Sequence, residues 1–307
     1  MTSNESTATQ ETTISENRGG HQSTAATLRY LALGDSIARG FRLTRVRPQP
    51  EPDGAVRLAG VPLWWFDAPE TAYPSQLGGL LAAQDQQVEI TDLARSGAAS
   101  GDVWRCGSPF PPLARISEAR FDFATLTLGA NDLLGLEWML YAPAANALRG
   151  LDRFVPGSLF RPLAAIGLPG PPSDLMIAAL YLNLDLLLDW LDERVDGVVA
   201  VTNYYNSDGT PGVQKNFTDP INDVIRAVCE QHPRAHLVDL ESAFRGHSAR
   251  EPVHKRWISP FDGVHPNAVG QQRIADQIFE IIRSRLGKYP TAAPGFDHAS
   301  HREHPRT

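Results

Sequence analysis

The chain of 307 residues has room for one large domain or two small ones, and its 42% hydrophobic and 21% charged residues are the balance of an ordinary globular protein. A net charge of −7 argues against a surface built to hold nucleic acid, and two cysteines, Cys106 and Cys229, imply no disulfide framework. Residues 1–27 are rich in Ser, Thr, Glu, Asn and Gln without an apolar run, so they read as a disordered tail, not a secretory signal or membrane anchor. The expectation is therefore a cytoplasmic protein with no membrane span.

A short apolar run, Tyr30-Leu31-Ala32-Leu33, ends at Gly34 and predicts a buried strand. Residues 41–72 are a long Pro-rich connection, in which Trp64-Trp65-Phe66 suits packing under a loop. It leads to a helix that starts near Pro74 and carries Leu77, Leu80 and Leu81. Further strands are expected over 88–93 and 123–128, the latter ending at Gly129. Residues 133–174 form a long apolar insertion. The dense apolar segment 175–191 carries Asp185, Asp189 and Asp192 at helical spacing, as a packed helix with one polar stripe does. Strands over 197–202 and 235–240 flank a helix that begins at Asp219-Pro220 and presents Ile221, Val224, Ile225 and Val228. The last helix starts near Asn267, presents Val269, Ile274, Ile278, Ile281 and Ile282, and stops near Gly287. Residues 289–307, with His298, His301 and His304, read as a flexible solvated tail and not as a metal site.

Strands that alternate with helices predict an α/β protein with a parallel five-stranded sheet covered on both faces. In such sheets ligands bind beyond the carboxyl ends of the strands. Ser36, Gly97 and Asn131 each follow the end of one of the first three predicted strands, so one rim carries all three.

Four short blocks stand out in order: Gly34-Asp35-Ser36, Ala94-Arg95-Ser96-Gly97-Ala98, Gly129-Ala130-Asn131-Asp132 and Asp262-Gly263-Val264-His265. Through them the chain resembles the SGNH, or GDSL-type, esterases and acylhydrolases, named for residues that match Ser36, Gly97, Asn131 and His265 here. The resemblance covers about residues 28–288 and implies a flavodoxin-like three-layer α/β/α hydrolase domain between two tails. Ile37 stands where the family commonly has Leu, a volume-conserving exchange. The insertion departs from compact members, so the resemblance does not carry the substrate across.

The chemistry needs these residue types. A serine hydroxyl becomes a nucleophile when a base takes its proton, and a neutral imidazole is suited to that near neutral pH. Ser36 is thus the expected nucleophile, His265 the base, and Asp262, three residues earlier, the acceptor that fixes the tautomer. The backbone N–H groups of Ser36 and Gly97 and the Asn131 amide are the expected oxyanion donors. Activity is expected to rise as His265 loses its proton, near pH ~6.5 for an unshifted imidazole. Asp35 and Asp132 read as structural partners of their turns. His236 lies in a predicted strand and lacks the carboxylate spacing of His265, as does His247, and His254 sits beside Lys255 and Arg256 in a solvated basic patch. Trp138, Met139 and Tyr141, just past Asn131, are candidates for a substrate wall, and the insertion is a candidate cap over an acyl pocket.

The expected activity is hydrolysis of a small-molecule carboxylic ester, an acyl lipid or an acylated small molecule, without metal or cofactor. A metal-dependent phosphoesterase is the alternative chemistry, but the chain offers no Gly-Asn-His turn. A non-catalytic binding protein on the same fold is the third reading. Acyl-chain length, alcohol and oligomeric state are not legible.

Overall fold

The computed structural model describes residues 27–42, 47–48, 57–58, 61–104, 113–133, 172–260 and 262–286. The two expected tails, Cys106 and nearly all of the insertion lie outside them, and with the insertion the expected cap.

Among the described residues seven strands run in chain order: β1 (Leu28–Gly34), β2 (Arg57–Leu58), β3 (Val61–Pro62), β4 (Val88–Asp92), β5 (Phe121–Thr127), β6 (Val195–Thr202) and β7 (Ala235–Val238). β2 and β3 make a small antiparallel hairpin within the Pro-rich connection. The others form one parallel sheet in the order β4-β1-β5-β6-β7. β1, β5 and β6 are interior strands and buried almost throughout, as strands covered on both faces must be. β4 is an edge strand and half-exposed.

Besides a single turn at Pro211–Val213, the α-helices among the described residues are α1 (Ser36–Arg39), α2 (Tyr73–Ala82), α3 (Ala130–Leu133), α4 (Asp174–Asp192), α5 (Asp219–Cys229), α6 (Leu240–Ala243) and α7 (Ala268–Leu286). The crossover from β1 leads outward to β4, while the later crossovers step the opposite way through β6 to β7. Right-handed crossovers in opposite directions place their helices on opposite faces. Accordingly α2 packs with α7 and α4 packs with α5, with the sheet between the pairs.

The expected elements are present, with shifted ends. β7 stops at Val238 because Asp239 turns to cap α6, its carboxylate accepting from the Ser242 N–H. Val269 lies half-exposed on α7, off the apolar face expected of it. The aspartates of α4 do more than face water. His232, buried after α5, places Nε2 3.1 Å from Asp185 Oδ1 and Nδ1 3.0 Å from Asp192 Oδ2. No helix among the described residues is long and apolar enough to cross a membrane.

Two parallel strands position the site. The register pairs Gly34 at the end of β1 with Thr127 at the end of β5. The chain therefore leaves the sheet at one level on both, toward Ser36 on one strand and Asn131 on the other.

Candidate active site

Ser36 is the first residue of α1, directly after β1. Asp35 caps the helix, its Oδ1 accepting from the Ile37 N–H at 2.8 Å. The turn is so tight that a Cβ on Gly34 would lie 2.4 Å from that of Ala38. A glycine is needed there. Asp35 is only 1% exposed, and burial pushes its carboxyl up to about 6. The Tyr204 hydroxyl donates to Asp35 Oδ2 at 2.7 Å, and Asn222 grips both the N–H and the C=O of Tyr204. Gln271 on α7 fixes the other end of the helix. It donates to the Ile37 C=O and accepts from the Tyr73 N–H at the start of α2.

His265 reaches Ser36 from the far end of the chain. Its Nε2 stands 2.8 Å from Ser36 Oγ, and its Nδ1 stands 3.2 Å from Asp262 Oδ2. A carboxylate at Nδ1 requires the N–H there, which leaves Nε2 free to accept the serine proton. Asp262 Oδ1 also accepts from the backbone N–H groups of Val264 and His265, so one carboxylate shapes its own loop. The loop is anchored by the Ile258–Pro266 bridge and by the Ser259 N–H donating to the His265 C=O. Burial works to raise the Asp262 carboxyl, but the His265 charge and these hydrogen bonds win and hold it below the ordinary range. Burial likewise works to lower His265, and the neighbouring carboxylates of Asp262, Asp35 and Asp67 outweigh it.

Gly97 follows β4 with φ +85°, a left-handed conformation that glycine adopts without strain. Asn131 opens α3, and its Nδ2 donates to the Ala98 C=O at 2.8 Å, which ties the second block to the third. An amide nitrogen carries two hydrogens, so this bond commits only one. Asp132 accepts from both the N–H and the hydroxyl of Ser100, a second tie between the same blocks. Burial raises its carboxyl. Ser36, Gly97, Asn131 and His265 are partly exposed, while the neighbours that hold them, Asp35, Ser96, Ala98 and Asp262, are buried.

The structure thus gathers Ser36, Asp262, His265, Gly97 and Asn131 at one rim. The proposed wall residues Trp138, Met139 and Tyr141 lie outside the described residues. The other histidines have other surroundings. His247 stacks on Trp257 at 3.6 Å, His254 is exposed, and His236 sits in β7. The sequence did not reveal Tyr204, Asp67 or Phe41 as neighbours of the site. The Phe41 ring lies 4.7 Å from that of His265, and Phe66 packs on Phe41 in turn. These contacts carry no spacing signal, because the partners are far apart in the chain.

The sequence profile of the GDSL-like lipase/acylhydrolase family matches residues 32–273. The chain belongs to that family. With it comes the general activity of a carboxylic ester hydrolase. Among similar proteins, Lipase 2 of Streptomyces coelicolor is 23% identical over 280 residues, covering 83% of this chain and 86% of its own. Phospholipase A1 from Streptomyces albidoflavus NA297 is a similar solved structure at 20% identity and a TM-score of 0.48, covering 84% of this chain and 99% of its own. Axe2, an acetylxylan esterase from Geobacillus stearothermophilus, is similar at 18% identity and a TM-score of 0.48, covering 84% and 95%. In this GDSL-like chain all four family blocks converge on the carboxyl end of β1, β4 and β5, with the last delivered by the loop before α7.

Proposed function

We propose that this GDSL-like hydrolase cleaves carboxylic esters through an acyl-enzyme on Ser36. The observation that carries the reading is the line Asp262–His265–Ser36, with 3.2 Å and 2.8 Å between successive partners. Ser36 Oγ attacks the ester carbonyl carbon while its proton passes to His265 Nε2. Asp262 holds the imidazole in the required tautomer and stabilises the imidazolium. The oxyanion is met by the N–H groups of Ser36 and Gly97 and by the Asn131 amide. Collapse breaks the carbon–oxygen ester bond, and the leaving alkoxide takes the proton from His265. A water then attacks the acyl-enzyme with His265 again as base, releasing the carboxylic acid and restoring the serine.

The substrate class is a small-molecule ester, with acyl lipids among the candidates. The name of Lipase 2 supports that choice. Ser36→Ala and His265→Ala should each lower turnover of nitrophenyl esters by at least about a thousandfold. A fluorophosphonate probe should label the wild type and not Ser36→Ala. Labelling that persists in Ser36→Ala, or turnover near wild type in a folded Ser36→Ala, would refute the assignment. A chain-length series of the same esters reads the acyl preference directly.

A further inference from the structure

The Pro-rich connection between α1 and α2 ends on a buried acid that none of the four blocks contains. Asp67 follows a single 3₁₀ turn, Leu63–Phe66, and is 3% exposed. Its Oδ1 accepts from the Ser96 hydroxyl at 2.5 Å, and its Oδ2 lies 3.4 Å from Arg39 Nε. Arg39 is the last residue of the helix that Ser36 begins, and its Nη1 donates to Asp92 Oδ2 at 2.6 Å. The other oxygen of Asp92 accepts from the Ala94 N–H. The loop from β4 to Gly97 is therefore held near both ends by two acids that share one guanidinium. The connection is pressed onto α1 at its end as well. A Cβ on Gly40 would lie 2.8 Å from the Ala68 carbonyl oxygen, and the Arg42 N–H donates to the Phe66 C=O.

Ser96 immediately precedes Gly97, and the plane of the peptide between them sets where the Gly97 N–H points. A buried hydroxyl bonded to a buried carboxylate has one orientation. We infer that Asp67, acting through Ser96, is a positioning residue that aims the Gly97 N–H at the developing oxyanion and ties that aim to the helix of the nucleophile. This rests on the serine mechanism above and adds to it a part from outside the family blocks. Neither Asp67 nor Ser96 touches the reacting atoms. Their effect falls on the transition state, where the oxyanion forms, and not on substrate binding. The carboxyl of Asp67 is pushed up to about 6 by burial, against the pull of Ser96 and Arg39, which fits a group kept in an enclosed polar contact.

The test measures kcat and KM for nitrophenyl butyrate in Ser96→Ala, Asp67→Ala, Asp67→Asn and the Ser96→Ala/Asp67→Ala pair, with Ser36→Ala as control. Each alanine variant should lose about tenfold in kcat, less than the ~10²–10³ of a deleted oxyanion donor, with KM within about twofold. The double variant should be no worse than the poorer single one, because both cut the same relay. Asp67→Asn keeps an oxygen for the serine hydroxyl and should recover most of kcat. If Asp67→Ala does not fold, Ser96→Ala decides alone, since it removes one oxygen. A folded Ser96→Ala with wild-type kcat, or losses that multiply in the pair, overturns the relay. If Ser36→Ala is inactive while Ser96→Ala is normal, only the relay falls. If Ser36→Ala is active, the serine mechanism falls with it.

Discussion

Burial alone would drive the proton off His265, but the carboxylates of Asp262, Asp35 and Asp67 hold it on and raise the imidazole above its ordinary 6.5. A base works only when neutral. The ascending limb of kcat/KM should therefore lie above pH 6.5, not at the value of an isolated imidazole. Asp262→Asn removes the nearest charge, so the limb should move to lower pH while the maximal rate falls. A pH–rate profile of both proteins checks this; a wild-type limb below 6.5, or one unmoved in Asp262→Asn, contradicts it. At this scale the motif residues were legible, because the chemistry restricts a nucleophile, a base and a carboxylate to few side chains. Their tuning was not. Tyr204 lies 169 residues from Asp35 and Asp67 lies 29 residues from Ser96, and only folding brings such partners together.

Long elements were legible for a different reason. Apolar runs ending in glycine marked β1 and β5, and the helical spacing of Asp185, Asp189 and Asp192 within a dense apolar segment marked α4. Short elements such as α6 and the β2–β3 hairpin escaped, since four or two residues hold no period. The ties between elements escaped as well, and Gln271 is the clearest case. On the sequence it is one polar residue in an amphipathic helix. In the fold it is fully buried and completes two main-chain groups at once, on α1 and α2. Gln271→Leu strands the Tyr73 N–H without water, at a cost of about 1–3 kcal/mol, and leaves the Ile37 C=O with the Gly40 N–H alone. Thermal unfolding of that variant should drop by several degrees, and kcat should fall as the Ser36 helix loosens. A melting point within a degree of wild type would show that the clamp carries no weight.

For the whole molecule the parallel sheet was legible from alternation and the rim from the strand ends, while the strand order was not, because pairing between distant segments leaves no local pattern. The summed titration is a property that no single element owns. Asp35 and Asp67 keep their protons to about pH 6 in the fold, whereas a free aspartate releases its proton near 3.8. In that interval the folded state binds more protons, so stability falls as pH rises through 6. His232 acts in the same direction. Its burial opposes protonation, but Asp192 and Asp185 raise it above 6.5, so its contribution is full below 6.5 and is lost as pH climbs past the raised value. His236, lowered by burial and by Arg285, opposes the trend on its own. Asp262 and Asp239, both lowered, contribute above the free-aspartate value and are lost as pH falls through their depressed values. Scanning calorimetry should accordingly find the highest melting temperature near pH 4, with lower values at pH 8 and again as pH falls through the depressed values of Asp262 and Asp239. A melting temperature highest at pH 8 would contradict this balance. The buried acids beside the nucleophile thus set keeping conditions against working conditions. On this balance a preparation should last longest in an acid buffer, where His265 keeps its proton and turnover is low.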